Sequence, residues 1–237
     1  MPSTIVLVTG EDMRCANSGV GFATAKVIAC ASEAFHVVIA SRSLDKANSA
    51  MEEIHAAGHT RGLLSAVQLD VLYETSIEEA AASRGPNVKT RFQLCMNTNA
   101  IGPAVFSAAF RPLLLKSSKP LSIYVSNGVG SMDRSSDPTS MTYSGLANGE
   151  AYRASKAALN MVALQESIEF SETALKVFVV DLGFVRSNLR GQSEEARSGC
   201  GKAKDARCSG ERILSVLHGK RDADVGKSIH SGGIYLW

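Results

Sequence analysis

A tyrosine and a lysine four residues apart, Tyr152 and Lys156, lead into the apolar helical run Ala157 to Leu164. At that spacing both side chains leave the same face of a helix. A free phenol, with a pKa of about 10, is a poor base near neutrality. A neighbouring ammonium favours the phenolate and brings the pKa toward the working range. Such a phenol can give a proton to a carbonyl oxygen as hydride arrives at carbon, or take it back in the reverse direction. Tyr-x-x-x-Lys also occurs on ordinary amphipathic helices, so the pair acquires meaning only from its context.

That context begins at the amino terminus. Thr4 to Val8 is a short continuous apolar run, the pattern of a buried parallel strand, and it ends in Thr9-Gly10. Asn17-Ser18-Gly19-Val20-Gly21 then opens a helical segment from Phe22 to Ala31. In a strand, glycine turn and helix, backbone N–H groups can approach a pyrophosphate, and the helix N-terminus favours its charge. Gly10, Ser18, Gly19, Val20 and Gly21 are therefore candidate phosphate ligands. A second apolar run, His36 to Ala40, ends in Ser41-Arg42-Ser43. An acid at this strand end would accept hydrogen bonds from a ribose 2′-hydroxyl. Arg42 stands there instead and can pair with a 2′-phosphate, so the expected cofactor is NADP(H).

The elements that must position these residues follow from periodicity. Strands are expected near 4–9, 36–40, 64–69, 121–126, 176–181 and 229–235, and helices near 19–32, 43–57, 74–83, 99–116, 150–171 and 209–218. Alternation of this kind builds an α/β fold with a doubly wound parallel sheet between helical layers. Ser131 to Glu150 and Gln192 to Arg207 are long loops without a clear period. Loops at the carboxyl ends of the strands build the substrate pocket in such folds.

Taken in order, these motifs resemble the short-chain dehydrogenase/reductase family, in its form with a single Rossmann-like domain, over nearly the whole chain. Thr9-Gly10 with Gly19-Val20-Gly21 is similar to the family's cofactor loop, and Leu69-Asp70-Val71 to the third strand, whose Asp touches the adenine. Asn99-Ala-Ile-Gly102, followed by Phe110-Arg-Pro-Leu-Leu114, resembles the helix carrying the structural and catalytic Asn. Ile123 to Asn127 resembles the strand that normally ends in the catalytic Ser. Tyr152 and Lys156 match the catalytic pair. Val179 to Val185 resembles the sixth strand and the loop beside the nicotinamide, to which Val185 and Ser187 would contribute. Gly232 to Trp237 is similar to the last strand of a carbonyl-reductase-like subgroup. The resemblance implies one domain over residues 1–237 and suggests a dimer or tetramer.

Four departures qualify it. Glu11 to Cys15 lengthen the cofactor loop by five residues. The chain between Asp70 and Asn99 is short by about twenty residues, a large deficit for such a connection. The lost part is where a central fourth strand should lie, and its loss would leave ladder groups and core side chains uncovered. Arg91 to Met96 could serve as a replacement strand or as the start of the next helix; Asn99-x-x-Gly102 favours the helix. Asn127 takes the place of the catalytic Ser, and an amide can donate to a carbonyl oxygen without relaying a proton as a hydroxyl does. Ser126, by strand alternation, points to the other face unless a bulge intervenes. Finally, Leu182-Gly183 replaces Pro-Gly, which should loosen the turn there.

Composition sets the remaining bounds. The 237 residues are 45% hydrophobic, enough for the core of one domain of this type, and the net charge of +2 implies neither a nucleic-acid nor a membrane partner. The apolar start is too short for a signal peptide, and no run could span a bilayer. Five cysteines without a Cys-x-x-Cys suit a reducing, cytoplasmic setting. His55 and His59 lie at a fraying helix end, so no metal is expected. The reading is an NADPH-dependent reductase of a ketone or aldehyde in a medium-sized apolar molecule. Tyr152 would be the acid, with Lys156, Asn99 and Asn127 assisting. The alternative is a member of the family with a lost or changed redox step, acting as an isomerase, cyclase or binding module.

Overall fold

The structure, a computed structural model, describes residues 4–9, 19–68, 88–140, 142–143, 149–187 and 193–237. In chain order the elements are β1 (Thr4–Thr9), α1 (Val20–Ala31), β2 (Phe35–Ser41), α2 (Leu44–Ala56), β3 (Leu63–Gln68), α3 (Val88–Met96), a π-helical turn (Asn97–Ile101) and α4 (Gly102–Leu114). They continue with β4 (Leu121–Ser126), a 3₁₀ turn (Gly128–Gly130), α5 (Met132–Ser136), α6 (Glu150–Glu169), β5 (Lys176–Asp181), α7 (Glu194–Ser198), α8 (Arg207–Leu217), β6 (Ser228–His230) and β7 (Gly233–Tyr235). The chain divides into two compact units, residues 1–70 with 184–220 and residues 71–183 with 221–237.

In the first unit β1, β2 and β3 form a parallel sheet in that order, with Thr4 opposite Phe35 and His36 opposite Leu63. β2 is the middle strand and the most apolar; Val37 and Ile39 are fully buried. α1 turns Phe22, Ala25, Ile28 and Ala29 inward, a stripe of helical period, and packs against α8.

In the second unit β4, β5 and β6 run parallel, and β7 returns antiparallel to β6. The expected single strand over 229–235 is thus a short hairpin. Ser231-Gly232 interrupts it, and three residues on either side pair instead. β5 is buried from Val177 onward, as a central parallel strand should be. Tyr124, Leu159, Ala163, Leu175, Val177 and Val179 form the core between α6 and the sheet, with Phe170 and Trp237 packed against it.

The segment Arg91 to Met96 is helical, and α3 runs through the π turn into α4. A replacement strand there is therefore excluded. Among the described residues β1 has β2 as its sole hydrogen-bonded neighbour, and β4 has β5. The expected helix near 74–83 lies outside the described residues, as do Gly10, Ser18 and Asp70.

Candidate active site

α6 carries the candidate pair. It starts at Glu150, whose charge suits a helix N-terminus, and buries Ala151, Ser155, Leu159, Asn160, Ala163 and Glu166 along one stripe. The turn after β4 lies hard against it. A Cβ on Gly130 would come within 2.8 Å of the Lys156 carbonyl carbon, so only glycine lets the turn approach this closely. Asn160 secures the same contact, donating to the Gly130 carbonyl at 3.3 Å and accepting from the Ser126 hydroxyl at 2.6 Å. Ser126 thus faces α6, on the same side of β4 as Ser122 and Tyr124, and its hydroxyl is taken by Asn160.

Lys156 is 9% exposed, and its ammonium donates to the Val125 carbonyl at 3.0 Å. Burial pushes its pKa down to about 8, against the opposing pull of Asp181. Its Nζ lies 5.8 Å from the centre of the Tyr152 ring. The phenol is not brought down as the spacing alone suggests. Burial pushes Tyr152 up to about 12, and Asp181 and Cys95 add to the rise. The reason lies outside the helix: an apolar surrounding and a carboxylate both disfavour the phenolate. Tyr152 accordingly keeps its proton near neutral pH.

Asn99 sits in the π turn. An extra residue in one turn rotates the helix face, and such turns recur at functional sites. Its amide donates to the Ser155 hydroxyl at 3.0 Å, and Ser155 in turn donates to the Tyr152 carbonyl. Asn99 therefore meets α6 one residue before Lys156, while the ammonium itself is held by β4. Asn127 follows β4 in extended backbone and accepts from the Val129 N–H at 3.1 Å, capping the 3₁₀ turn. This bond engages its carbonyl oxygen and leaves the amide nitrogen as the group able to donate to a carbonyl.

Sequence reasoning missed Asp181 as a participant. It ends β5 opposite Ser126, and its oxygens accept from Gly128 N–H at 3.2 Å and Gly183 N–H at 2.6 Å. The second bond closes the turn that lacks proline, with Gly183 at a φ of +81° that suits glycine. The turn is thus held by a side chain rather than loosened. The available signal was an acid ending the otherwise apolar run Val177 to Val180. Cys95 and Arg91 of α3 were missed as well. Burial raises the Cys95 thiol while Arg91 lowers it, and Arg91 pairs with Glu150 at 2.7 Å.

The first unit holds the other candidates. Gly19 caps α1 without a side-chain cap hydrogen bond. No acidic residue stands in that turn, so the positive end of the helix, with Gly19, Val20 and Gly21, fits an anionic group. Arg42 follows β2; its carbonyl accepts from Gln68 at 3.1 Å, and no ion pair engages its guanidinium among the described residues. These features fit the phosphates of a dinucleotide. Val185 is buried and bridges to Lys204, and Ser187, also buried, donates its N–H to the Arg197 carbonyl.

Comparison with known proteins agrees with the motifs. The short-chain dehydrogenase/reductase tropE of Talaromyces stipitatus is 29% identical over 96% of this chain and 95% of its own. The short-chain dehydrogenase anuI of Penicillium roqueforti is 27% identical over 96% and 97%. Among solved structures, NADPH-bound carbonyl reductase from chicken fatty liver superposes with a TM-score of 0.71 at 22% identity, over 100% of both chains. The carbonyl reductase Sniffer of D. melanogaster does so at 0.68 and 16%, also over 100% of both. No family model matches the chain. The fold is the Rossmann-like α/β fold of these structures, and the chain is similar to these short-chain dehydrogenase/reductases along nearly its whole length. Its curated relatives carry the names of oxidoreductases.

Proposed function

We propose that the protein is an NADPH-dependent reductase of a ketone or aldehyde in a medium-sized apolar molecule, and that Tyr152 is its general acid. The observation that carries this reading is the Tyr152 phenol, half-buried, kept protonated by its surroundings and one helical turn from the Lys156 ammonium. A nicotinamide cofactor supplies hydride; the chain supplies the proton and the polarising donors. Tyr152 gives its proton to the carbonyl oxygen, and Lys156 offsets the charge left on the phenolate. The Asn127 amide donates to the same oxygen. Asn99 fixes the α6 backbone at Tyr152 through Ser155. Gly19, Val20 and Gly21 hold phosphate oxygens, Arg42 the 2′-phosphate, and Val185 and Ser187 contribute beside the nicotinamide. Gly10, Ser18 and Asp70 complete the cofactor set. The chain acts as one domain on a small carbonyl or alcohol substrate, in the cytoplasm, as a homo-oligomer.

Titration of the protein with NADPH and NADH, followed by Trp237 fluorescence, tests the cofactor assignment. NADPH should bind more tightly by about ten-fold or more, the worth of one charge-assisted contact, and Arg42→Ala should abolish the difference. Equal affinity in the unaltered protein overturns it. A second reading, a family member without the redox step, is favoured by one observation: β1 pairs with β2 alone among the described residues. It predicts nucleotide affinity without carbonyl turnover.

A further inference from the structure

β2 and β3 end level with each other. Their ladder starts with His36 opposite Leu63 and closes with Ser41 opposite Gln68. The register is not free to slip. At the start of β3 the N–H groups of Arg61 and Gly62 both donate to the Ala29 carbonyl, at 3.0 and 2.8 Å. A Cβ on Gly62 would come within 2.6 Å of the Phe35 carbonyl oxygen, so the chain is held close at this point. Further along, His36 and Ser65 share a hydrogen bond of 2.9 Å between the two strands. A slip of one residue would turn Gln68 to the other face of the sheet, so these contacts decide where its side chain stands.

Beyond the ladder the chain turns from β2 into α2 through Arg42 and Ser43. The peptide unit joining these two residues has both of its polar groups met by side chains. The Arg42 carbonyl accepts from the Gln68 carboxamide at 3.1 Å, and the Ser43 N–H donates to the Ser41 hydroxyl at 3.4 Å. A peptide unit is planar, so holding its C=O and its N–H fixes the orientation of the whole plane. With Ser41 in the ladder on one side and this plane on the other, the direction in which Arg42 leaves the main chain is set. Ser43 then caps α2, accepting from the Lys46 N–H at 3.4 Å. The bond from Gln68 is the shortest of the three and the one that comes from another strand. An arginine on a loose turn must be ordered when an anion arrives; one whose main chain is already fixed loses less freedom on binding.

We propose that Gln68 is a positioning residue for Arg42: by holding the Arg42–Ser43 peptide plane it presents the guanidinium to the 2′-phosphate of NADPH, and so sets the preference for NADPH over NADH without touching the nucleotide. This rests on the NADPH reading and deepens it by adding the contact that makes the arginine selective. The guanidinium is in no ion pair among the described residues, so it is available to a phosphate. A carboxamide carries no charge. Removing it therefore leaves the charges around the phosphate as they were, and its effect on NADPH runs through the arginine it holds.

The test is calorimetric titration of the full chain with NADPH and with NADH at one ionic strength, and it needs no turnover. Gln68→Met keeps the length of the side chain and removes the amide. It should weaken NADPH by roughly three- to ten-fold, the worth of one hydrogen bond, and leave NADH unchanged. Gln68→Ala should do the same. In an Arg42→Ala background Gln68→Met should have no further effect on NADPH, because the two residues act as one unit. The unfolding midpoint should stay in place, since the bond is exposed and water replaces Gln68 at the freed carbonyl. A merely structural role would lower that midpoint and weaken both nucleotides alike, which overturns the proposal. Unchanged NADPH affinity in both Gln68 variants overturns it too. So does a loss that persists in the Arg42→Ala background, which would mean that Gln68 meets the nucleotide directly. Equal affinity for NADPH and NADH in the unaltered protein overturns the cofactor reading and this proposal with it. A preference for NADPH that Arg42→Ala abolishes and the Gln68 variants leave intact overturns the proposal alone.

Discussion

The second unit buries two carboxylates against the same sheet, Glu166 and Asp181, and their surroundings differ in kind. Glu166 projects from α6 and is met by five side-chain donor contacts. Ser107 and two nitrogens of Arg111 reach Oε1; Ser122, at 2.9 Å, and Tyr124, at 2.6 Å, reach Oε2. Burial pushes its pKa up, but the bonds from Ser107, Tyr124, Ser122 and Arg111 outweigh this and hold it below the usual range. Its charge is consumed locally by a cation and three hydroxyls. Asp181 is fixed by two neutral N–H groups, and its charge pulls the pKa values of Lys156 and Tyr152 upward. The first ties α6 to the sheet; the second ties the end of β5 to the turns at Gly128 and Gly183.

The comparison is broken most directly at the phenol. Tyr152→Phe removes one hydroxyl and should lower carbonyl turnover by roughly 10²–10⁴-fold with NADPH affinity retained. Lys156→Ala should lower turnover and weaken the nucleotide, and the double variant should be barely worse than either, as for residues acting as one unit. Near-full turnover in Tyr152→Phe would overturn the reductase reading.

On the other side, Glu166→Ala should cost about 3–5 kcal/mol of stability, read from urea midpoints, because it leaves Arg111 and three hydroxyls without their acceptor. The pH dependence of the remaining turnover should not move. A shift there would show that Glu166 also acts on the site.

Asn127→Ser should raise turnover by about ten-fold, since a hydroxyl can both cap Val129 and share in proton movement. A loss with unchanged nucleotide binding would assign the amide a role of its own. The smallest effect concerns pH alone. Burial lowers Lys156, so its ammonium is present below about 8 and lost above it. Turnover that needs the cation should therefore be near half-maximal at about pH 8 and decline on the alkaline side. A profile flat to pH 9.5 would separate Lys156 from the chemistry.

Much of the fold was legible because parallel strands and their helices write their own periods. β1, β4 and β5 fall where the apolar runs predict; β5, buried from Val177 onward, has the continuous apolar run of a central strand. The helical fate of Arg91 to Met96 followed from its continuity with Asn99-x-x-Gly102. The hairpin at the carboxyl terminus was not legible, because three-residue strands leave too few alternations to separate them from one longer strand. The spacing of Tyr152 and Lys156 gave the pair, but the direction of the phenol's shift did not follow from it. Spacing reports which side chains share a helix face; it says nothing of the carboxylate that β5 brings beside them.

The sequence by itself determined the order of the described strands and helices, the spacing of Tyr152 and Lys156, the arginine at the end of β2 and the amide of Asn127 after β4. All of these are local in the chain, set by residue type and by periods of two and 3.6. Tertiary structure alone decided that Ser126 is spent on Asn160, that Asn99 meets Ser155, and that Asp181 holds the turn at Gly128. These depend on contacts between residues 34 to 56 positions apart, and on burial, which no local pattern encodes. Charge strength in a protein is set by what surrounds the group, and the surroundings exist only once the chain has folded.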